Sequence, residues 1–273
     1  MANINIEKVE KILKQDYKYY DQDKVKYQFD KRLNYDIKLF LIQELKKDFK
    51  VLDVGCGDGH TLINLSKHFK LGVGIDNDKH RISLAKKNKS SSKTINVSFR
   101  LAKSYDIPFK NEEFDFVFSE RGPISGSTVN VQSALRVLKK NGLLFEETIG
   151  ELDNQETNEI FHRGQQYRKY QHMNRIDEVK VLFERNGVDI RIINNLVSKI
   201  IFPNIYEWLK YQCAVWTYNK VKKPSIDEMN KIEDFFLTNR NEENQIVITK
   251  HRVWIGGVKV ANPPQYWEFK HFE

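Results

Sequence analysis

Cysteine is nearly missing from this chain of 273 residues: it has two, Cys56 and Cys213. Two thiols cannot build a disulfide framework or a Cys-rich metal site. No stretch approaches the roughly eighteen apolar residues of a membrane-spanning helix, and the opening residues MANINIEKVEK lack the apolar run of a secretory signal. A cytoplasmic protein with no membrane partner is the expectation. Two nucleotide-binding signatures also fall short. The P-loop pattern is absent, and GxGxxG fails at its third glycine, where His60 stands. Glu159 and His162 have the three-residue spacing of a helical metal pair, but no matching second pair completes it, and no metal is expected.

What is there begins with Val51–Gly59, written VLDVGCGDG. Val51, Leu52 and Val54 give the short apolar run of a buried strand. Gly55, Gly57 and Gly59 follow at every second position, so the backbone can turn sharply and its N–H groups can approach a ligand closely. A helix beginning after Gly59 would present its electropositive end to the same spot. Cys56, inside the turn, is small enough for tight geometry. Leu71–Ile75 reads as a second strand ending in Asp76, and an acid at the C-terminal end of a strand can accept both hydroxyls of a ribose.

The pattern D-x-G-x-G-x-G, from Asp53 to Gly59, resembles motif I of the class I S-adenosylmethionine-dependent methyltransferases. Further on, Ile107-Pro108-Phe109 and Phe114–Phe118 resemble the "LPF…FDVV" segment of the same superfamily, so the likeness spans residues 51–149 as an ordered set. It implies an α/β fold: a Rossmann-like sheet of seven strands, the last antiparallel, with helices on both faces. It implies S-adenosylmethionine as cofactor and S-adenosylhomocysteine as product. The cofactor-binding residues it suggests are Asp53, Gly55, Cys56, Gly57, Gly59, Asp76, Asn77, Ser104, Tyr105 and Glu120. Relatives often have an acid near position 103, where this chain has Lys103, so only backbone or hydroxyl contacts carry over to Ser104 and Tyr105.

The remaining strands are expected at Ile95–Leu101, Phe114–Phe118, Leu143–Ile149, Val188–Phe202 and Gln245–Val260. The helix after Asp76 is expected to break up over Asn88–Thr94. Lys139-Lys140 would close the helix Val131–Leu138, with Gly142 making the turn into the next strand. Residues 1–48 read as an N-terminal helical lid, with Ile6, Val9, Ile12 and Leu13 at helical spacing and a stretch rich in tyrosine (Tyr17, Tyr19, Tyr20, Tyr27). Residues 49–273 read as the methyltransferase domain, with a helical insertion at about 203–244.

The acceptor is harder to read. Glu120, at the end of the fourth strand, and Glu147, in the fifth, are the catalytic candidates, since a carboxylate there can take a proton from an amine or hydroxyl. Glu146 beside it is open to the same reading. The leading acceptor is a small molecule. RNA stays as the alternative, on two grounds. One is a net charge of +8, although the lysines appear in scattered short groups such as Lys46-Lys47 and Lys86-Lys87. The other is a strand ending in Gly122-Pro123, similar to a family of bacterial rRNA guanine methyltransferases whose N-terminal cysteine zinc module is absent here. DNA is not expected. Asn262-Pro263-Pro264-Gln265-Tyr266 is similar to the NPP-aromatic motif of amino-methyltransferases, but it follows the seventh strand rather than the fourth and reads as a proline-bearing tail.

Overall fold

Apolar runs bounded by turn residues become strands, and the amphipathic stretches between them become helices, in the computed structural model. It describes residues 4–15, 26–28, 37–162, 175–218 and 222–260. In chain order the elements are α1 (Ile6–Lys14), β1 (Lys26–Gln28), α2 (Ile37–Glu44), β2 (Lys50–Val54), α3 (His60–Leu65), β3 (Leu71–Asp76), α4 (Lys79–Ser92), β4 (Val97–Leu101) and β5 (Phe114–Glu120). Then follow α5 (Thr128–Val137), β6 (Leu138–Ile149), α6 (Gln155–Phe161), α7 (Arg175–Arg185), β7 (Val188–Phe202), α8 (Ile205–Tyr218), α9 (Met229–Asn239) and β8 (Ile246–Lys259). The expected tyrosines 17, 19 and 20 and the NPPQY stretch lie outside the described residues.

The chain divides into two units. One comprises Asp36–Ile149, Arg175–Asn195 and Val253–Glu273. Its strands lie in the order β7-β8-β6-β5-β2-β3-β4. β4, β3, β2, β5 and β6 are parallel, with Leu52 opposite both Val73 and Val117, and Phe118 opposite Phe145. β2 and β5 are buried along nearly their whole length, as strands covered on both faces must be. β8 runs the other way: Trp254 lies beside Glu147 and Gly256 beside Leu144, so numbering rises along one strand as it falls along the other. This is the expected seven-strand sheet with its last strand antiparallel. One core joins Leu52, Val117, Leu144 and Ile255 of the sheet to Val131 and Leu135 of α5 and to Val179 and Phe183 of α7. On α2, Phe40 packs its ring 4.7 Å from Phe145 and 5.3 Å from Trp254.

Three local expectations are corrected. α4 continues through Asn88 to Ser92, because the Lys93 backbone takes the left-handed cap (φ 55°) that ends it. β4 starts at Val97, not Ile95, whose side chain is 91 % exposed. Lys139 and Lys140 belong to β6, not to a helix end, and the left-handed residue of that turn is Asn141 (φ 61°), not Gly142. Lys139 is held there by Asp115 at 2.6 Å.

The other unit comprises Met1–Tyr35, Gly150–Asn174 and Leu196–Arg252. Of the apolar stripe read in the N-terminus, Val9, Ile12 and Leu13 of α1 are buried with Trp208 and Leu209 of α8 and Phe235 of α9, whereas Ile6 is exposed. The Trp208 and Phe235 rings stack at 3.8 Å. β1 pairs antiparallel with β7, Lys26 opposite Ile201. Asp153 is buried here and ionised, its pKa lowered against the cost of burial by Lys250, Arg252 and the His251 N–H.

Candidate functional site

At the C-terminal end of β2 the chain reverses within a few residues. The N–H groups of Gly55 and Cys56 both donate to the Ile75 carbonyl, at 2.8 and 2.9 Å. Gly55, Gly57 and Gly59 all adopt positive φ (84°, 56° and 80°), a region that costs an L-residue about 1–2 kcal/mol. Space is short as well as conformation. A Cβ on Gly55 would lie 2.9 Å from Pro123 Cδ, and one on Gly59 would lie 2.4 Å from the Phe99 ring. α3 has only six residues, and the backbone of Gly57 and Gly59 is itself buried, with the Gly57 N–H given to Asp76. Cys56 is buried against Gly74, and burial pushes its thiol pKa up, which leaves it an unreactive small filler.

Carboxylates gather at this edge. Asp76, at the end of β3, accepts from the Gly57 N–H at 3.0 Å and from the Asp78 N–H at 2.9 Å. Asp53 is buried, and its Oδ1 has no hydrogen-bond partner among the described residues. Burial, then the charges of Glu120 and Asp76, raise its pKa well above the usual carboxylate range. Glu120, the last residue of β5, accepts from Thr61 Oγ1 at 2.8 Å. Directly opposite it in the sheet is Glu147, buried, with Oε2 taking the Trp254 indole N–H at 2.8 Å.

The structure therefore brings together Asp53, the three glycines, Cys56, Asp76, Glu120 and Glu147. Asn77 follows Asp76 as an exposed residue. Ser104 and Tyr105 lie in the turn after β4, which leaves the sheet beside Asp76: the Ala102 N–H donates to the Asp76 carbonyl at 3.0 Å. Ser104 is half-buried, and Tyr105 is exposed beneath the Lys103 ammonium, 5.3 Å from its ring. Thr61 and Trp254 escape a reading of the sequence. Thr61 is one hydroxyl in an ordinary amphipathic helix, and Trp254 reaches Glu147 only through the register of β8.

Glu146 points the other way. Adjacent residues of a strand face opposite sides of the sheet, and Glu146 is fully buried, accepting from the Ser125 N–H at 2.8 Å. Burial raises its pKa to about 7, against the opposing pull of Ser125 and Arg175. It does not join the cluster formed by Glu120 and Glu147.

A net-negative edge with an unsatisfied buried carboxylate oxygen suits a cationic ligand, and S-adenosylmethionine carries both a sulfonium and an ammonium. Residues 45–220 match the family model described as a methyltransferase domain. The uncharacterised methyltransferase YcgJ of Bacillus subtilis is 29% identical over 101 residues, covering 36% of this chain and 40% of the relative. The chain spans about two fifths of the length of the curated relatives it matches. The crystal structure of Bacillus subtilis YcgJ superposes with a TM-score of 0.60 at 18% identity, over 82% of this chain and 98% of that one. A geranyl diphosphate methyltransferase solved in complex with S-adenosylmethionine has a TM-score of 0.51 at 15% identity, over 82% of this chain and 84% of that one. This chain belongs to the methyltransferase-domain family, within the class I S-adenosylmethionine-dependent superfamily.

Proposed function

We propose that this protein transfers a methyl group from S-adenosylmethionine to a small-molecule acceptor with an amine or hydroxyl nucleophile. The observation that carries the reading is the pair Glu120 and Glu147, opposed in register at the C-terminal ends of β5 and β6. One is oriented by Thr61 and the other by Trp254. Bound S-adenosylmethionine supplies a methyl group on a sulfonium, open to in-line displacement. The protein's part is to hold donor and acceptor in line and to exclude water. In this reading Asp76 takes the ribose hydroxyls with the oxygen lone pairs its two backbone bonds leave over. Asn77, Ser104 and the Tyr105 hydroxyl line the adenine side, and Asp53 offsets the positive charge. Glu147, desolvated and fixed by the indole N–H, accepts the proton that an amine or hydroxyl sheds as it is methylated, while Glu120 orients the nucleophile.

The test is incubation of the protein with methyl-labelled S-adenosylmethionine and fractionated cell extract. Label is expected in the small-metabolite fraction. With the labelled acceptor in hand, Glu147→Gln is expected to lower kcat by about 10²-fold or more with cofactor affinity unchanged. Label appearing in protein or RNA instead would refute the acceptor class, and a Glu147→Gln enzyme at full rate would refute the base.

A further inference from the structure

From Lys79 to Tyr105 the chain carries eight Lys and Arg residues and no Asp or Glu. The whole chain has 45 basic and 37 acidic residues. Outside this stretch the two signs therefore balance, and the entire net charge of +8 resides in it. The basic residues are scattered along the whole chain, and this stretch stands out because it lacks acids.

The fold turns this stretch into a surface. α4 buries Ile82 and Ala85. Its outer face carries Lys79, Ser83, Lys86, Lys87, Ser90 and, at the cap, Lys93, a run at helical spacing in which every side chain is exposed. Lys79, Lys86, Lys87 and Lys93 have no carboxylate partner among the described residues. Two acids adjoin α4: Asp78 caps its N-terminus through the His80 and Arg81 N–H groups, and Asp58 lies 3.6 Å from His60. Between Lys79 and Lys93 the helix rises about 21 Å. Beyond its N-terminal end, on the turn that leaves the sheet at Asp76, stand Lys103 and the exposed ring of Tyr105.

We propose that this face docks single-stranded RNA, with the α4 lysines along the phosphates and Tyr105 as a stacking platform for a base. Lysines with no competing carboxylate, with the Ser83 hydroxyl among them to donate to a phosphate oxygen, track a sugar-phosphate backbone. The stripe carries no apolar side chain between its lysines, which argues against insertion into a lipid surface. The exposed aromatic next to a cation has a use in stacking a base and none in docking an acidic peptide. The inference goes beyond the acceptor reading: it states where the protein binds, whichever compound takes the methyl group.

The test is fluorescence anisotropy of the full chain with a labelled single-stranded RNA of about 20 nucleotides, from 50 to 200 mM salt. Four engaged lysines predict a log–log salt slope near −2.8, so affinity is expected to fall about 50-fold over that range. The fourfold variant Lys79→Gln, Lys86→Gln, Lys87→Gln, Lys93→Gln is expected to lose most of that slope and to bind RNA at least tenfold more weakly at 50 mM. A control of equal net charge, with Lys11, Lys110, Lys140 and Lys222 changed to Gln, is expected to bind like the parent. S-adenosylmethionine affinity, read by calorimetry, should be the same in all three, which separates lost docking from lost folding. Two further probes, polyglutamate and phosphatidylserine vesicles, are expected to bind weakly. The proposal is overturned if RNA fails to bind, if both variants lose affinity equally, or if either rival probe binds as tightly as RNA.

Discussion

Glu146→Gln is expected to change how the protein's stability responds to pH. The Glu146 side chain has no exposure to solvent, and burial lifts its pKa from 4.5 to about 7 against the pull of the Ser125 N–H and the Arg175 guanidinium. In the unfolded chain the same carboxyl releases its proton near 4.5. Between these values the folded state holds a proton that the unfolded state has lost, so stability falls as pH rises. The contribution is fully present below pH 4.5, declines by about 1.4 kcal/mol per pH unit, and levels off above pH 7. Altogether about 3 kcal/mol is lost across the window. Glutamine fills the same volume and keeps an oxygen to accept the Ser125 N–H, but it does not titrate. The assay is urea unfolding of both proteins at pH 5, 6, 7 and 8. The parent should lose roughly 3 kcal/mol relative to the variant between pH 5 and 8, and taking the difference cancels Asp53 and every other titrating group. A difference that stays constant over this range would refute the reasoning, since Glu146 would then be ionised at all four values and burial would not be the dominant influence on it.

Two further outcomes follow from the glycine turn and its carboxylates. Gly59→Ala places a Cβ at positive φ and 2.4 Å from the Phe99 ring, for an expected loss of about 2–5 kcal/mol. Adding Phe99→Leu should recover the packing part but not the backbone part, and a single variant as stable as the parent by thermal melting would show that the turn is not held as described. Because Asp53 titrates above the usual carboxylate range, acidification should weaken the cationic S-adenosylmethionine more than the neutral-sulfur S-adenosylhomocysteine. Calorimetry with both compounds from pH 5 to 8 checks this, with Asp53→Asn expected to abolish the difference; an affinity ratio independent of pH in the parent would refute it.

The parts of the fold legible in the sequence are those fixed by local chemistry. Val51–Val54 and Phe114–Phe118 are apolar runs interrupted only by Asp53 and Asp115, too short and too apolar for a solvated face, and both are interior strands. Three glycines spaced by two announce left-handed backbone, and all three adopt it. Reading failed where two local solutions had similar energies. Asn141 and Gly142 both tolerate positive φ; the chain uses Asn141 for it and needs the glycine at 142 for space, since a Cβ there would lie 2.6 Å from Leu138 and 2.9 Å from the Asp115 carbonyl. The stretch Asn88–Ser92 is polar and serine-rich, yet Ser90 and Ser92 bond back to the carbonyls of Lys86 and Lys89 and stay helical. Thr61 and Trp254 lie further out of reach, since their partners are 59 and 107 positions away.

The acceptor side of the site turns on a question of parity that no inspection of Glu146-Glu147 could answer. Both are carboxylates on one strand, and a strand sends neighbours to opposite faces, so at most one of them can share a side with Glu120. Which one depends on how β6 registers against β5, and that depends on an irregularity between Phe114 and Phe116 where the pairing shifts. With the shift, Glu147 stands opposite Glu120 and Glu146 opposite Ser119. A register one residue away would put Glu146 beside Glu120 and send Glu147 toward Ser125. The two carboxylates should therefore separate cleanly by experiment: replacing Glu146 alters the pH dependence of stability and leaves methyl transfer intact, whereas replacing Glu147 slows methyl transfer and leaves that pH dependence intact. If both substitutions moved both readouts, the register drawn for β6, and with it the assignment of the base, would be wrong.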